Sequence, residues 1–195
     1  MPPEDSLVIM RRSLLRAAPL VALLGSAGTV PAQTLTSPKV PETIQAPAGE
    51  KLVLLGHASG VQIYVCGLDA DGKTPKWVLK APEAELRDAH GAVIGHHSAG
   101  PSWKHKDGSE ITGKAAAKAD SPDPQAIPWL LLSVTGHSGE GVLAQVTSVQ
   151  RIHTHGGKAP DASSCDPAKE KDREVRVPYR ADYYFYAPAS SSVRP

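Results

Sequence analysis

The two cysteines constrain this chain more than any other feature. Cys66 and Cys165 are the only ones in 195 residues, and each closes a stretch that reads as extended structure. In Val61-Gln62-Ile63-Tyr64-Val65-Cys66 the apolar Val61, Ile63 and Val65 alternate with Gln62, Tyr64 and Cys66, the period-two signature of a strand. Residues 142–165 read as a long strand with a polar, histidine-bearing rim, broken at Gly156-Gly157 and Pro160 before Cys165. In an oxidising compartment the two sulfurs are expected to pair, closing a loop of about a hundred residues, worth up to ~4.7 kcal/mol in the chain-entropy account.

The N-terminal residues point to such a compartment. Arg11, Arg12 and Arg16 form a basic start, residues 17–28 are apolar or small, and Val30-Pro31-Ala32 is a small-x-small cleavage signal before Gln33. Residues 1–32 are therefore read as a signal peptide, with Met10 as a candidate start. The pattern Arg11-Arg12-Ser13-Leu14-Leu15-Arg16 matches a twin-arginine signal as well as it does an ordinary secretory one. The apolar run is shorter than the roughly 20 residues of a membrane anchor, so the expectation is a soluble periplasmic or extracellular protein with no transmembrane anchor. Residues 1–32 hold three of the 21 bases and two of the 20 acids, which leaves the remainder formally neutral. A neutral chain lacks the clustered positive charge on which nucleic-acid binding depends.

Downstream, the prolines at 38, 41 and 47 interrupt any period, so residues 33–47 are expected as an extended arm. Residues 48–188 are expected as a single β domain, and 189–195 as a frayed tail. Short strand signals recur about every ten residues with Gly, Pro and Asp between them, which predicts an antiparallel β-sandwich or barrel. The individual expectations are a strand over residues 51–56, a turn at Ala58-Ser59-Gly60, and a hairpin through Asp69-Ala70-Asp71-Gly72 to Trp77. A surface excursion with one helical turn is expected over 113–120, because its alanines favour helix while Pro122 and Pro124 cut it short. Residues 127–134 read as a strand buried on both faces, and Trp129 and Phe185 as core.

Several pieces together resemble a secreted family of bacteria and filamentous fungi known as a domain of unknown function (DUF thirty-four fifty-five). They are Gln62-x-Tyr64-x-Cys66, Gly95-x-His97-x-x-Gly100-Pro101-x-Trp103 with Asp107-Gly108-Ser109, and Ile127-Pro128-Trp129-Leu130-Leu131-Leu132. Val149-Gln150-Arg151 with Thr154-x-Gly156-Gly157-x-Ala159-Pro160 and Cys165 follows, then Val177-Pro178-Tyr179-x-Ala181-x-Tyr183-x-Phe185-Tyr186. The resemblance spans nearly all of residues 40–188 and implies a disulfide-bearing extracellular domain with no established activity. Some fungal relatives carry a malate dehydrogenase label, yet this sequence has neither the G-x-G-x-x-G turn nor the alternating strands and helices of a dinucleotide fold.

Candidate sites cluster on histidines and aromatics. His97, framed by glycines and followed by Trp103 and His105, is a candidate pocket residue with a ring poised near neutral pH. Arg151, His153 and His155 are expected on one face of an extended segment. His153 and His155 would then supply two ligands for copper or zinc, with a third drawn from the other histidines. No G-x-S-x-G elbow or readable base-and-orienter pair supports nucleophilic catalysis. The leading expectation is a non-enzymatic exported β domain binding a small molecule or an envelope component at a rim of His97, Trp103, His105 and Arg151. The alternatives are a histidine-ligated metalloprotein, or metalloenzyme, and a purely structural envelope protein.

Overall fold

The computed structural model describes residues 35–170 and 173–191; the expected signal segment, 1–32, and the last four residues lie outside them. The expected all-β fold with one disulfide is what forms, and its sheet closes on itself. Eight antiparallel strands run in chain order around a barrel: β1 (Glu50–Leu68), β2 (Pro75–Arg87), β3 (Val93–Ser98), β4 (Ser102–His105), β5 (Glu110–Ala119), β6 (Trp129–Ser138), β7 (Ser148–Gly156) and β8 (Glu174–Pro188). β1 pairs with β8 from Glu50↔Pro188 to Val65↔Glu174, so the first and last strands close the cylinder and leave no free edge. No helix among the described residues is long and apolar enough to cross a membrane.

Four local expectations are corrected. The turn at residues 58–60 is the middle of β1, because each of these residues pairs with both β2 and β8. Gly60 is there for close approach: a Cβ would run into the Glu83 carbonyl and Ala84. The alanine-rich segment 113–120 is mostly strand, since pairing with β6 from Gly113↔Val134 to Ala119↔Trp129 overrides the helix preference of alanine. Residues 142–147 lie outside β7, which begins at Ser148. β6 is only half-buried along much of its length, and Trp129 packs at the edge of an outer cluster rather than inside the barrel.

β8 shows how alternation divides the core. Tyr183 and Phe185 point into the lumen with Trp103, Ile111 and Val149, whereas Tyr184 and Tyr186 point outward to a cluster around Ile44 and Ile152. A fully buried aromatic of this size brings about 4–6 kcal/mol of gross transfer free energy. The segment expected as an extended arm carries a short 3-10 turn (Glu42–Ile44) that seats Ile44 on this outer face. Gln150 donates from Nε2 to the Ile44 carbonyl at 2.6 Å and accepts from the Tyr186 hydroxyl at 2.7 Å.

The two ends of the barrel differ. At one, here called the floor, residues 139–147 fold inward and bury Leu143 and Val146 in the lumen core. The Asp107 carboxylate holds this plug, accepting from the Val142 N–H at 2.8 Å, the Ser109 N–H at 2.9 Å and the Ser109 hydroxyl at 2.6 Å. Burial would raise the pKa of Asp107, but these bonds outweigh it and keep the carboxyl well below the usual range.

At the other end, the mouth, the β1–β2 hairpin overhangs the barrel. The segment after β7 is tied to it by Cys66–Cys165, with 5.3 Å between Cα atoms and 99 residues between the partners. Tyr64, Trp77, Val175 and Val177 pack around the bridge. The Tyr64 hydroxyl donates to the Gly157 carbonyl at 2.6 Å, and Trp77 Nε1 to the Ser164 hydroxyl at 2.9 Å.

A Cys66→Ser, Cys165→Ser double variant is expected to lose about 2–5 kcal/mol of folding stability. Urea unfolding of variant and parent, each with and without reductant, measures this; reductant should destabilise only the parent.

Candidate functional site

Inward residues facing one another across the ladders build one recess beneath the mouth. His97 on β3 is paired directly with Trp103 on β4. Leu130, Arg151 and Tyr183 form a row across β6, β7 and β8. Gln62 on β1 is paired with Pro82 on β2. Between these rows lies a cavity of about 320 Å³, with Leu79, Pro82 and the Gly100-Pro101 turn at its lip and Trp103 and Tyr183 among its walls. Leu79, half-exposed, is one of few large apolar side chains left open to solvent. A register shift between Ile63 and Tyr64, which leaves Lys80 unpaired, accounts for its position.

The His97 and Trp103 rings stack 4.6 Å apart and within 10° of parallel, and Tyr183 lies 4.9 Å from His97. His97 Nδ1 donates to the Ser102 carbonyl at 2.8 Å. Burial pushes the His97 pKa down to about 4, outweighing that bond, and the positive charge of Arg151 pushes the same way. The ring is therefore neutral at pH 7, with its proton on Nδ1. Burial likewise raises the pKa of Tyr183, so neither group is poised as a base.

Polar atoms distinguish the recess from the rest of the core. Among the described residues five buried side-chain nitrogen or oxygen atoms lack a hydrogen-bond partner, and three of them are on recess residues: Gln62 Nε2, Trp103 Nε1 and Arg151 Nε. Leaving such a donor unmet costs about 1–3 kcal/mol. Arg151 spends one amino group on the Pro128 carbonyl at 2.8 Å, and among the described residues no carboxylate pairs with it.

The expected rim is thus divided among three places. His97, Trp103 and Arg151 share the recess. His105 lies at the floor, its Nδ1 2.9 Å from Asp107. His153 is on the outer surface, a correction to the expectation that it shares a face with Arg151. The β7–β8 register shifts between Ile152 and His155, and His153 adopts φ +48°, so the bulge turns its side chain outward. There it stands edge-on to Trp129, with ring centroids 5.6 Å apart. Its Nδ1 is 2.8 Å from Asp182, whose other oxygen is 2.7 Å from His57 Nδ1. His155 lies 3.7 Å from Asp123. Among the described residues no three His, Cys, Asp or Glu side chains form a set able to hold a metal.

Gln62 and Leu79 were not singled out as site residues from sequence. The one available signal was a glutamine in the alternating run 61–66.

The chain belongs to a family described as a protein of unknown function (DUF3455), whose model matches residues 47–187. No curated protein and no solved structure matches it.

The neutral state of His97 ties stability to pH. In the unfolded chain an ordinary histidine takes up its proton near pH 6.5, while the folded ring resists until about pH 4. The unfolded state therefore binds more protons in this window, and stability falls as pH drops from 6.5 to 4 by roughly 3 kcal/mol from this residue. Denaturant unfolding at several pH values should show a shallower loss over that window in His97→Gln than in the parent.

Proposed function

We propose that this protein is an exported, non-enzymatic barrel that binds one small, largely apolar organic molecule in the mouth of its lumen. The observation that carries the reading is a recess with largely apolar walls above the Leu143 and Val146 plug, three of whose lining residues carry a buried polar atom without a partner. Its volume lies at the lower end of the roughly 300–1,000 Å³ typical of ligand pockets. Eight strands is also the barrel size whose interior holds either side chains or one small ligand. The recess residues include Lys80, His97, Arg151 and Tyr183 as titratable groups but no carboxylate. A carboxylate pair of the kind that hydrolyses glycosides is thus not among them, and burial holds His97 and Tyr183 neutral, which supports binding over that chemistry.

Export is supported by the basic and apolar N-terminal sequence and by the disulfide. The site of action would then be the periplasm or the exterior. Mass spectrometry of protein recovered outside the cytoplasm is expected to find a chain beginning at Gln33; a mature protein that keeps its first 32 residues would refute export.

Ligand uptake is testable with a neutral fluorescent probe, N-phenyl-1-naphthylamine. Saturable binding of one equivalent is expected, with emission rising as the probe leaves water. Ala115→Trp, which places an indole in the recess from β5, should weaken binding at least about tenfold, the loss of roughly 1.4 kcal/mol. Unchanged probe binding in that variant would place the probe elsewhere and sink the lumen reading.

A further inference from the structure

We infer that the molecule bound in the lumen is a monocarboxylate, its carboxylate received by Arg151, Gln62 and Trp103 and its apolar body by Leu79, Pro82 and Leu130. This rests on the lumen being a binding site and adds the chemical class of its occupant.

Three residues that line the recess each carry a buried, unpartnered atom, Gln62 Nε2, Trp103 Nε1 and Arg151 Nε, and all three are N–H donors. Gln62 and Trp103 are almost wholly buried, with relative exposures of 1% and 0%. An array of donors alone is complementary to an acceptor, and best to one carrying negative charge, because charge-assisted hydrogen bonds are the stronger kind.

The charge balance selects the same class. Lys80, the other cation at the recess, is ion-paired with Glu174, and His97 stays neutral with its Nδ1 proton given to Ser102. Arg151 is left as the one uncompensated charge. The guanidinium is part-buried and has no carboxylate partner among the described residues, and an arriving anion offsets the desolvation this costs. One positive charge suits one negative charge, so a carboxylate fits where a dianionic phosphate would bring a second charge with nothing to meet it. The planar guanidinium also matches a carboxylate in shape.

The test compares acids with alcohols of the same body: octanoate against 1-octanol, and cinnamate against cinnamyl alcohol, each displacing N-phenyl-1-naphthylamine at pH 7. Each acid is expected to bind at least about tenfold more tightly than its alcohol, as a hydrogen bond to a charged group predicts. Arg151→Gln should bring the ratio to within about twofold while the alcohols still bind, and Gln62→Ala should reduce it several-fold. The parent comparison stands even where a variant fails to fold.

Alcohols binding as well as acids, acids failing to displace the probe, or Arg151→Gln keeping the preference would each overturn the inference. If the probe still binds the lumen in those cases, the barrel-binding reading survives. If neither probe nor acid binds the parent, both fall.

Discussion

Closure between the first and last strands is the constraint from which the remainder of the molecule follows. β1 and β8 share a ladder that runs nearly the length of both. It creates an inside, and every alternating side chain is thereby assigned to lumen or surface. To serve β2 and β8 at once, β1 must curve without side chains blocking its neighbours. Gly56 packs against the Leu86 side chain, and Gly60 lies against the Glu83 and Ala84 backbone. Bulges do the rest: register shifts in β1–β2, β5–β6 and β7–β8 rotate the faces, so residues two apart in sequence need not point the same way.

Within this cylinder the packing is uneven along the axis. The floor half is filled by the plug, by Phe185 and Val149, and by a carboxylate that collects backbone and hydroxyl donors from the turn it braces. Toward the mouth the aromatic stack of His97 and Trp103 gives way to open space, and donors there go unmet. A barrel selected only for stability would gain by replacing those donors with apolar groups of the same shape. Their presence together in one recess is what supports the proposal of a binding site over a purely architectural role.

The outer surface is stabilised by different means. Ile44 covers the outward aromatics of β8, and the disulfide holds the segment after β7 against the overhanging hairpin. Asp182, presented outward between two lumen-facing residues, lies against His57 on β1 and His153 on β7. One carboxylate thus links the three strands where the cylinder closes. The two histidines are only half-buried, and an exposed ion pair of this kind contributes at most about 1 kcal/mol.

Much was legible in the sequence, for physical reasons that are local. Alternation over residues 61–66, turn residues at regular spacing, and two cysteines behind a segment read as an export signal pointed to an all-β, disulfide-linked domain. The proximity of His97 and Trp103 was legible because only the short turn at 99–101 separates β3 from β4, so their pairing is a short-range event. What local signals missed depends on partners distant in the chain. The turn residues at 58–60 and the helix-favouring alanines after Gly113 became strand because neighbouring strands satisfied their backbones. Arg151 and His153 separated because the bulge against β8, with His153 itself at positive φ, turned the His153 side chain outward. The recess itself joins Gln62, His97, Arg151 and Tyr183 from four strands, and no spacing in one dimension encodes a meeting made only when the sheet closes. The sequence by itself determined the kind of chain this is and how its strands alternate. Where inside lies, and which polar groups are left facing one another there, was decided by the barrel.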